Sequence, residues 1–211
     1  MSATPGQSRQ HYHVGNLAEQ LLTSARTMLE DVGVAKLSMR ALCSTLGVTP
    51  TAAYHHFTNR AELLAQLATQ GYLELAEVLS TQNPALPVQE KIRGFCLIYL
   101  TFARNNPALY QLMFGPELVF EQMPEHLLKA RQLAFSTLEA MVADLLKQTP
   151  DSPDVRSAAL ASWSYIHGLT ALLLHGVLQR PADMPDQRMI ERTLAGFELL
   201  FKAHATSINP V

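Results

Sequence analysis

Eight histidines, two cysteines and eighteen carboxylates are the side chains that could attack, pass protons or hold a metal. Their spacing gives them no such work. His55 and His56 are adjacent, so on a helix they point apart. His126, His167, His175 and His204 have no carboxylate or cysteine partner at metal-ligand spacing. Glu117, Glu121 and Glu125, at four-residue steps, read as a solvated edge. No glycine-rich phosphate loop occurs. Cys43 and Cys96 stand far apart and read as reduced, buried thiols of a cytoplasmic protein, with a redox role left open. No catalytic residue, metal or cofactor is assigned, and no enzyme activity is expected.

Recognition chemistry is better supplied, and it concentrates in residues 38–64. Ser38 can cap a short helix bearing Leu42 and Leu46, and Gly47 ends it in a tight turn plugged by Val48. Thr49 and Pro50 fit the N-cap and first position of a second short helix. That helix presents Thr51, Ala52, Tyr54 and His55 outward, with Ala53 and Phe57 inward. Its small leading residues would let it approach a major groove closely. Asn59 and Glu62 read as cap and reciprocal cap of a third helix. Helix, glycine turn, helix is the helix-turn-helix pattern.

Ser38-Met39-Arg40-Ala41-Leu42, Leu46-Gly47-Val48, Tyr54-His55-His56-Phe57 and Arg60-Ala61-Glu62-Leu63-Leu64 resemble, in order and spacing, the DNA-binding domain of tetracycline-repressor (TetR) family regulators. The resemblance places Arg40, Thr49, Pro50, Thr51, Ala52, Tyr54, His55, His56 and Arg60 at or near double-stranded DNA. Arg40 can reach a guanine edge or a phosphate, and Ala52 a thymine methyl. Tyr54, His56 and Arg60 suit phosphate oxygens, and the amides opening the third helix add an anion site. Thr58 departs from the family, where many members carry Lys; Pro50 stands where others have a polar base reader. Packing of His56 against the turn is the competing role for that residue.

The elements that must position these residues follow from periodicity. Residues 1–14 read as a flexible tail, and Tyr12 to Leu17 form a Tyr-His-x-Gly-Asn-Leu run similar to that preceding the first helix of many such regulators. Asn16 and Glu19 make a capping pair for a helix with Leu17, Leu21, Ala25, Met28 and Val32 inward, ended by Gly33. Residues 15–60 make the DNA-binding domain. Residues 61–211 make a second helical domain for ligand binding and dimerisation. Its helices run from near Asn59 to Ser80, Val88 to Arg104, Asn106 to Phe114, Pro124 to Gln148, Asp154 to Leu178 and Met189 to His204, parted by Pro- and Gly-bearing breakers. The fold class is all-α, an N-terminal three-helix unit plus a C-terminal helical domain, about nine helices.

Charge is split along the chain. Residues 1–60 carry five basic and three acidic residues; the remainder is net negative, which places nucleic acid at the N-terminal end. In the second domain Trp163, His167 and Gly168 form a Trp-x-x-x-His-Gly motif that resembles one subgroup of the family. Phe102, Tyr110, Met113, Phe114, Phe135, Met141, Trp163 and His167 could line a largely apolar ligand cavity or be ordinary core. The last two long helices are apolar on more than one face, and Leu169, Leu173, Leu194, Phe197 and Phe201 are expected to meet a second copy in a four-helix bundle. The apolar run from Leu169 to Leu178 is interrupted and too short to cross a bilayer, so no membrane partner is expected. The expectation is a homodimeric repressor released from a palindromic operator by a small effector; the alternative is a helical small-molecule binding protein without a DNA role.

Overall fold

The computed structural model describes residues 16–83, 85–118, 121, 123–179 and 181–208; for 197, 198 and 200–208 it describes only the backbone. The expected tail, 1–14, lies outside the described residues, as do the side chains of Phe197 and Phe201. Among the described residues there is no strand. Nine α-helices follow in order: α1 Leu17–Val32, α2 Met39–Leu46, α3 Pro50–Tyr54, α4 Arg60–Ser80, α5 Val88–Asn105, α6 Pro107–Phe114, α7 Glu125–Leu146, α8 Pro153–Leu174 and α9 Asp186–Ile208.

The first three helices pack around Leu21, Ala25, Leu29, Leu37, Leu42 and Ala53, all buried. Leu29 is buried in α1, whereas Val32, the last residue of the helix and expected inward, is exposed. Asn16 bonds the Glu19 side chain rather than capping a backbone amide.

α4 is the spine. Leu63, Leu64, Leu67, Tyr72, Leu75 and Leu79 are all buried along it, and it packs against α5, α6 and α7 as well as α1. Gly71 lets α6 in: a Cβ there would lie 2.7 Å from Met113 Sδ and 2.8 Å from Leu109 Cδ2. Pro107 starts α6 as expected, but Asn106 does not cap it. Its exposed amides are instead taken by Glu30 of α1, whose carboxylate accepts from Ala108 N at 3.1 Å and Leu109 N at 3.0 Å. A carboxylate at a helix N-terminus is favoured by both the free amides and the dipole. Asn106 accepts from Arg26 at 2.7 Å, and Arg26 also pairs with Glu74 of α4 at 3.2 Å. Helices α1, α4 and α6 are therefore tied by charge as well as by packing.

α8 is longer and more apolar than the run from Leu169 to Leu178 indicated. Over Pro153–Leu174 it is long and apolar enough, by length and composition, to cross a membrane. Val155, Leu160, Ile166 and the alanines upstream of Leu169 raise the average. It contributes Val155, Ala159, Ile166, Leu169 and Thr170 to this chain's core and leaves Leu160 and Leu172 exposed.

Candidate functional site

The recognition stretch folds as its residue types dictate. Ser38 Oγ accepts from Ala41 N at 3.2 Å and opens α2; Gly47 closes it in the left-handed region at φ 65°, ψ 27°. Thr49 Oγ1 accepts from Ala52 N at 3.3 Å, with Pro50 at the start of α3. Ala53 and Phe57 are buried and seat α3 on the core, while Val48 is half-buried beneath the turn. That leaves Thr51, Tyr54, His55 and His56 exposed, with Ala52 half-buried among them and Arg40 exposed on α2. His56 does not pack into the turn.

The base of this reading head is fixed by caps. Asn59 Oδ1 accepts from Glu62 N at 2.9 Å, and the Glu62 carboxylate accepts from the Thr58 amide at 2.9 Å and from the Thr58 hydroxyl. Bonds from the Thr58 side chain and then its amide hold the Glu62 carboxyl below the usual range. The amide of Glu62 is thus taken, which narrows the anion site expected at the start of α4.

Arg60 is placed differently from expectation. Its Nε donates to Leu37 O at 2.8 Å and its guanidinium also donates to Val34 O. It clamps the turn between α1 and α2 onto α4, and is half-buried, so it is not extended towards a phosphate. Arg26 is likewise spent inside the molecule. Arg40 and Lys36 remain as exposed cations of this unit with no partner among the described residues.

The residues expected to line one ligand cavity fall into separate places. Met113 is fully buried between α4 and α6. Phe102 lines a groove of ≈ 480 Å³ between α4 and α5 beside Glu74 and Glu77. Met141 lines a cleft of ≈ 490 Å³ near Lys91 and Asp144. Phe135 and Trp163 line an apolar cavity among α4, α5, α7 and α8 of ≈ 20 Å³, space for about one water. Tyr110, Phe114 and His167 line a cleft of ≈ 380 Å³ between α6 and α8 that reaches Val34.

A polar chain joins the last two. Trp163 Nε1–H donates to Tyr99 Oη at 3.3 Å; Tyr99 Oη lies 3.1 Å and Tyr110 Oη 2.7 Å from His167 Nδ1. Burial raises both tyrosines, Tyr99 to about 12, and lowers His167, so the phenols keep their protons and the imidazole is neutral. With Nδ1 accepting, its proton is assigned to Nε2. Trp163 and His167 share a face one turn apart, which periodicity shows. The two tyrosines that meet them come from α5 and α6, and no local pattern marks that meeting.

Three of the residues expected at a dimer face are buried or half-buried within this chain. Leu169 is 6% exposed in the core of this chain. Leu173 and Leu194 are half-buried against it. The exposed apolar residues of α8 are instead Leu160 and Leu172, 55% and 45% exposed.

A capped helix-turn-helix at one end of an all-α bundle is the architecture of a DNA-binding regulator. The tetR family of bacterial regulatory proteins matches residues 21–67, and the tetracyclin repressor-like C-terminal domain matches residues 92–197. The chain belongs to the tetracycline-repressor family. The nucleoid occlusion factor SlmA of Vibrio vulnificus (strain YJ016) is 29% identical over 140 residues, 63% of this chain and 68% of that protein. A protein of unknown function from Rhodococcus sp. RHA1 has TM-score 0.73 at 26% identity, covering 90% of this chain and 97% of that one. BioQ, solved with its double-stranded DNA operator, shares the fold with TM-score 0.56 at 21% identity, over 88% of this chain and 96% of that one.

Proposed function

We propose that this chain is a homodimeric transcriptional repressor of the cytoplasm that binds a pseudo-palindromic operator and is released by a small, largely apolar effector. The observation that carries the reading is the exposure of Thr51, Tyr54, His55 and His56 together on a helix whose other face, Ala53 and Phe57, is locked into the core. Family membership and the BioQ–operator fold support it. Arg40 is the base or phosphate contact, Tyr54 and His56 reach phosphates, and Thr49, Pro50, Thr51, Ala52 and His55 approach the groove. Trp163, His167 and Gly168 support the reading of the second domain as one of the Trp-x-x-x-His-Gly subgroup.

A helical small-molecule binding protein with no DNA role is the second reading. It gains from the engagement of Arg26 and Arg60 inside the molecule, which leaves few cations for phosphate. Titration of the purified protein against duplexes from its own flanking DNA separates the two. Selective binding to an inverted repeat that weakens steeply with salt is expected, because neutralised phosphates release counterions. Salt-insensitive or absent binding to every duplex would leave the second reading.

A further inference from the structure

We infer that the cleft between α6, α8 and the turn at Val34 is the effector site, and that it takes a planar, basic aromatic molecule whose cation meets the Glu117 carboxylate and whose ring lies against the Phe114 and His167 rings. This rests on the reading of the chain as an effector-released regulator. The cleft, ≈ 380 Å³, is within the size of small-molecule sites, whereas the cavity at Trp163 has space for about one water.

The walls follow from sequence spacing. His167, Ala171 and His175 recur every four residues on one face of α8. The small Ala171 leaves room between the two imidazoles. Tyr110 and Phe114, four apart on α6, supply aromatic faces opposite; Phe114 and His167 rings lie 4.5 Å apart. α6 stops at Gly115, and the chain folds back so closely that a Cβ on Gly115 would lie 2.5 Å from Glu117 Oε2. That brings a half-buried carboxylate to the rim with no cation paired to it among the described residues. An unpaired, partly desolvated charge favours a cationic occupant, and aromatic faces favour the same. No Lys or Arg lines the cleft, so an anion finds no counter-charge there. No three His, Cys, Asp or Glu side chains among the described residues come together as a metal site.

The position also explains how an occupant would reach the DNA-binding unit. Val34 lines the cleft, and its carbonyl accepts from Arg60 at the start of α4. α6 forms another wall, and its N-terminal amides are held by Glu30 of α1. An occupant that favours a different spacing of α6, α8 and Val34 shifts α1 and α4 through contacts already made.

The test uses three probes on one ring, 4-aminoquinoline (protonated at neutral pH), quinoline and quinoline-4-carboxylate, titrated calorimetrically into the full chain. The amine is expected to bind at least tenfold more tightly than quinoline, and the carboxylate not at all. Glu117→Gln should remove that preference while quinoline still binds. Ala171→Leu, which fills the half-exposed space between the imidazoles, should abolish binding of all three, with thermal unfolding checking that both variants fold. Binding that survives Ala171→Leu, equal binding of the carboxylate, or no binding of any probe to the wild type overturns the site. Operator binding by the wild type, measured without probe, is read separately; its absence overturns the regulator reading instead.

Discussion

His167 Nδ1 lies within hydrogen-bond distance of two tyrosine hydroxyls that have little access to water. Tyr99 is 2% and Tyr110 4% exposed, so each hydroxyl depends on a protein acceptor. A buried hydroxyl stranded without one costs about 1–3 kcal/mol. His167→Phe should lower stability to chemical denaturation by about that amount. Tyr110→Phe in the same background should restore part of it, because the stranded hydroxyl is gone. Additive effects of the two changes in a double-mutant cycle would show that no such network exists. The shared face of Trp163 and His167 was legible from a spacing of four. Their partners were not: the bonds to His167 span 57 and 68 positions, and nothing local distinguishes Tyr99 or Tyr110 from other core aromatics.

At the scale of the element, the caps and turns of the recognition stretch are legible in the sequence, whereas Asn16 and Asn106 do not cap the helices they precede. Ser38, Gly47, Thr49 and Asn59 each do what their type and place imply. Long side chains were harder, since a guanidinium has several turns of helix within reach. Arg60 looks like a phosphate contact in sequence and acts as a clamp on Val34 and Leu37. The two roles leave different signatures. Arg60→Ala should lower the melting temperature yet leave the salt dependence of operator binding near the wild-type slope. Arg40→Ala should leave melting unchanged and, on a phosphate, reduce the slope by about 0.9. A full unit lost from the slope in Arg60→Ala would return it to the DNA. Gly71 offers a second test on α4. A methyl group there meets Met113 and Leu109 within 3 Å, so Gly71→Ala should destabilise by about 1–3 kcal/mol despite better helix propensity. Gly196 of α9, where an added Cβ meets nothing within 4 Å of this chain, is the control for propensity alone. Equal stabilisation at both positions would mean that α4 and α6 are not held at this separation.

For the whole molecule, α8 is the helix that leaves an apolar face uncovered, with Leu160 and Leu172 exposed. Leu160, Ala161, Ser164 and Leu172 form an exposed stripe beside half-buried Gly168, and four-residue spacing with small residues in the middle lets another helix approach closely. The periodicity of α8 announced an apolar helix with two faces, but not which leucine belongs to which face; Leu169 went to the core because Ile166 and Leu169 follow the turn of the helix inward together. A two-fold copy laid on this stripe would pair two recognition heads, as a palindromic operator requires. Two charge substitutions discriminate the faces. Leu160→Asp with Leu172→Asp should give a folded monomer by sedimentation equilibrium, with an unchanged circular dichroism spectrum and weakened affinity for the full operator relative to a half-site. Leu169→Asp should instead lower the melting temperature sharply, since it buries a charge in the core of one chain. A double variant that still sediments as a dimer would show that a second copy sits on some other surface, and a Leu169→Asp protein that folds normally as a monomer would return the interface to that face of α8.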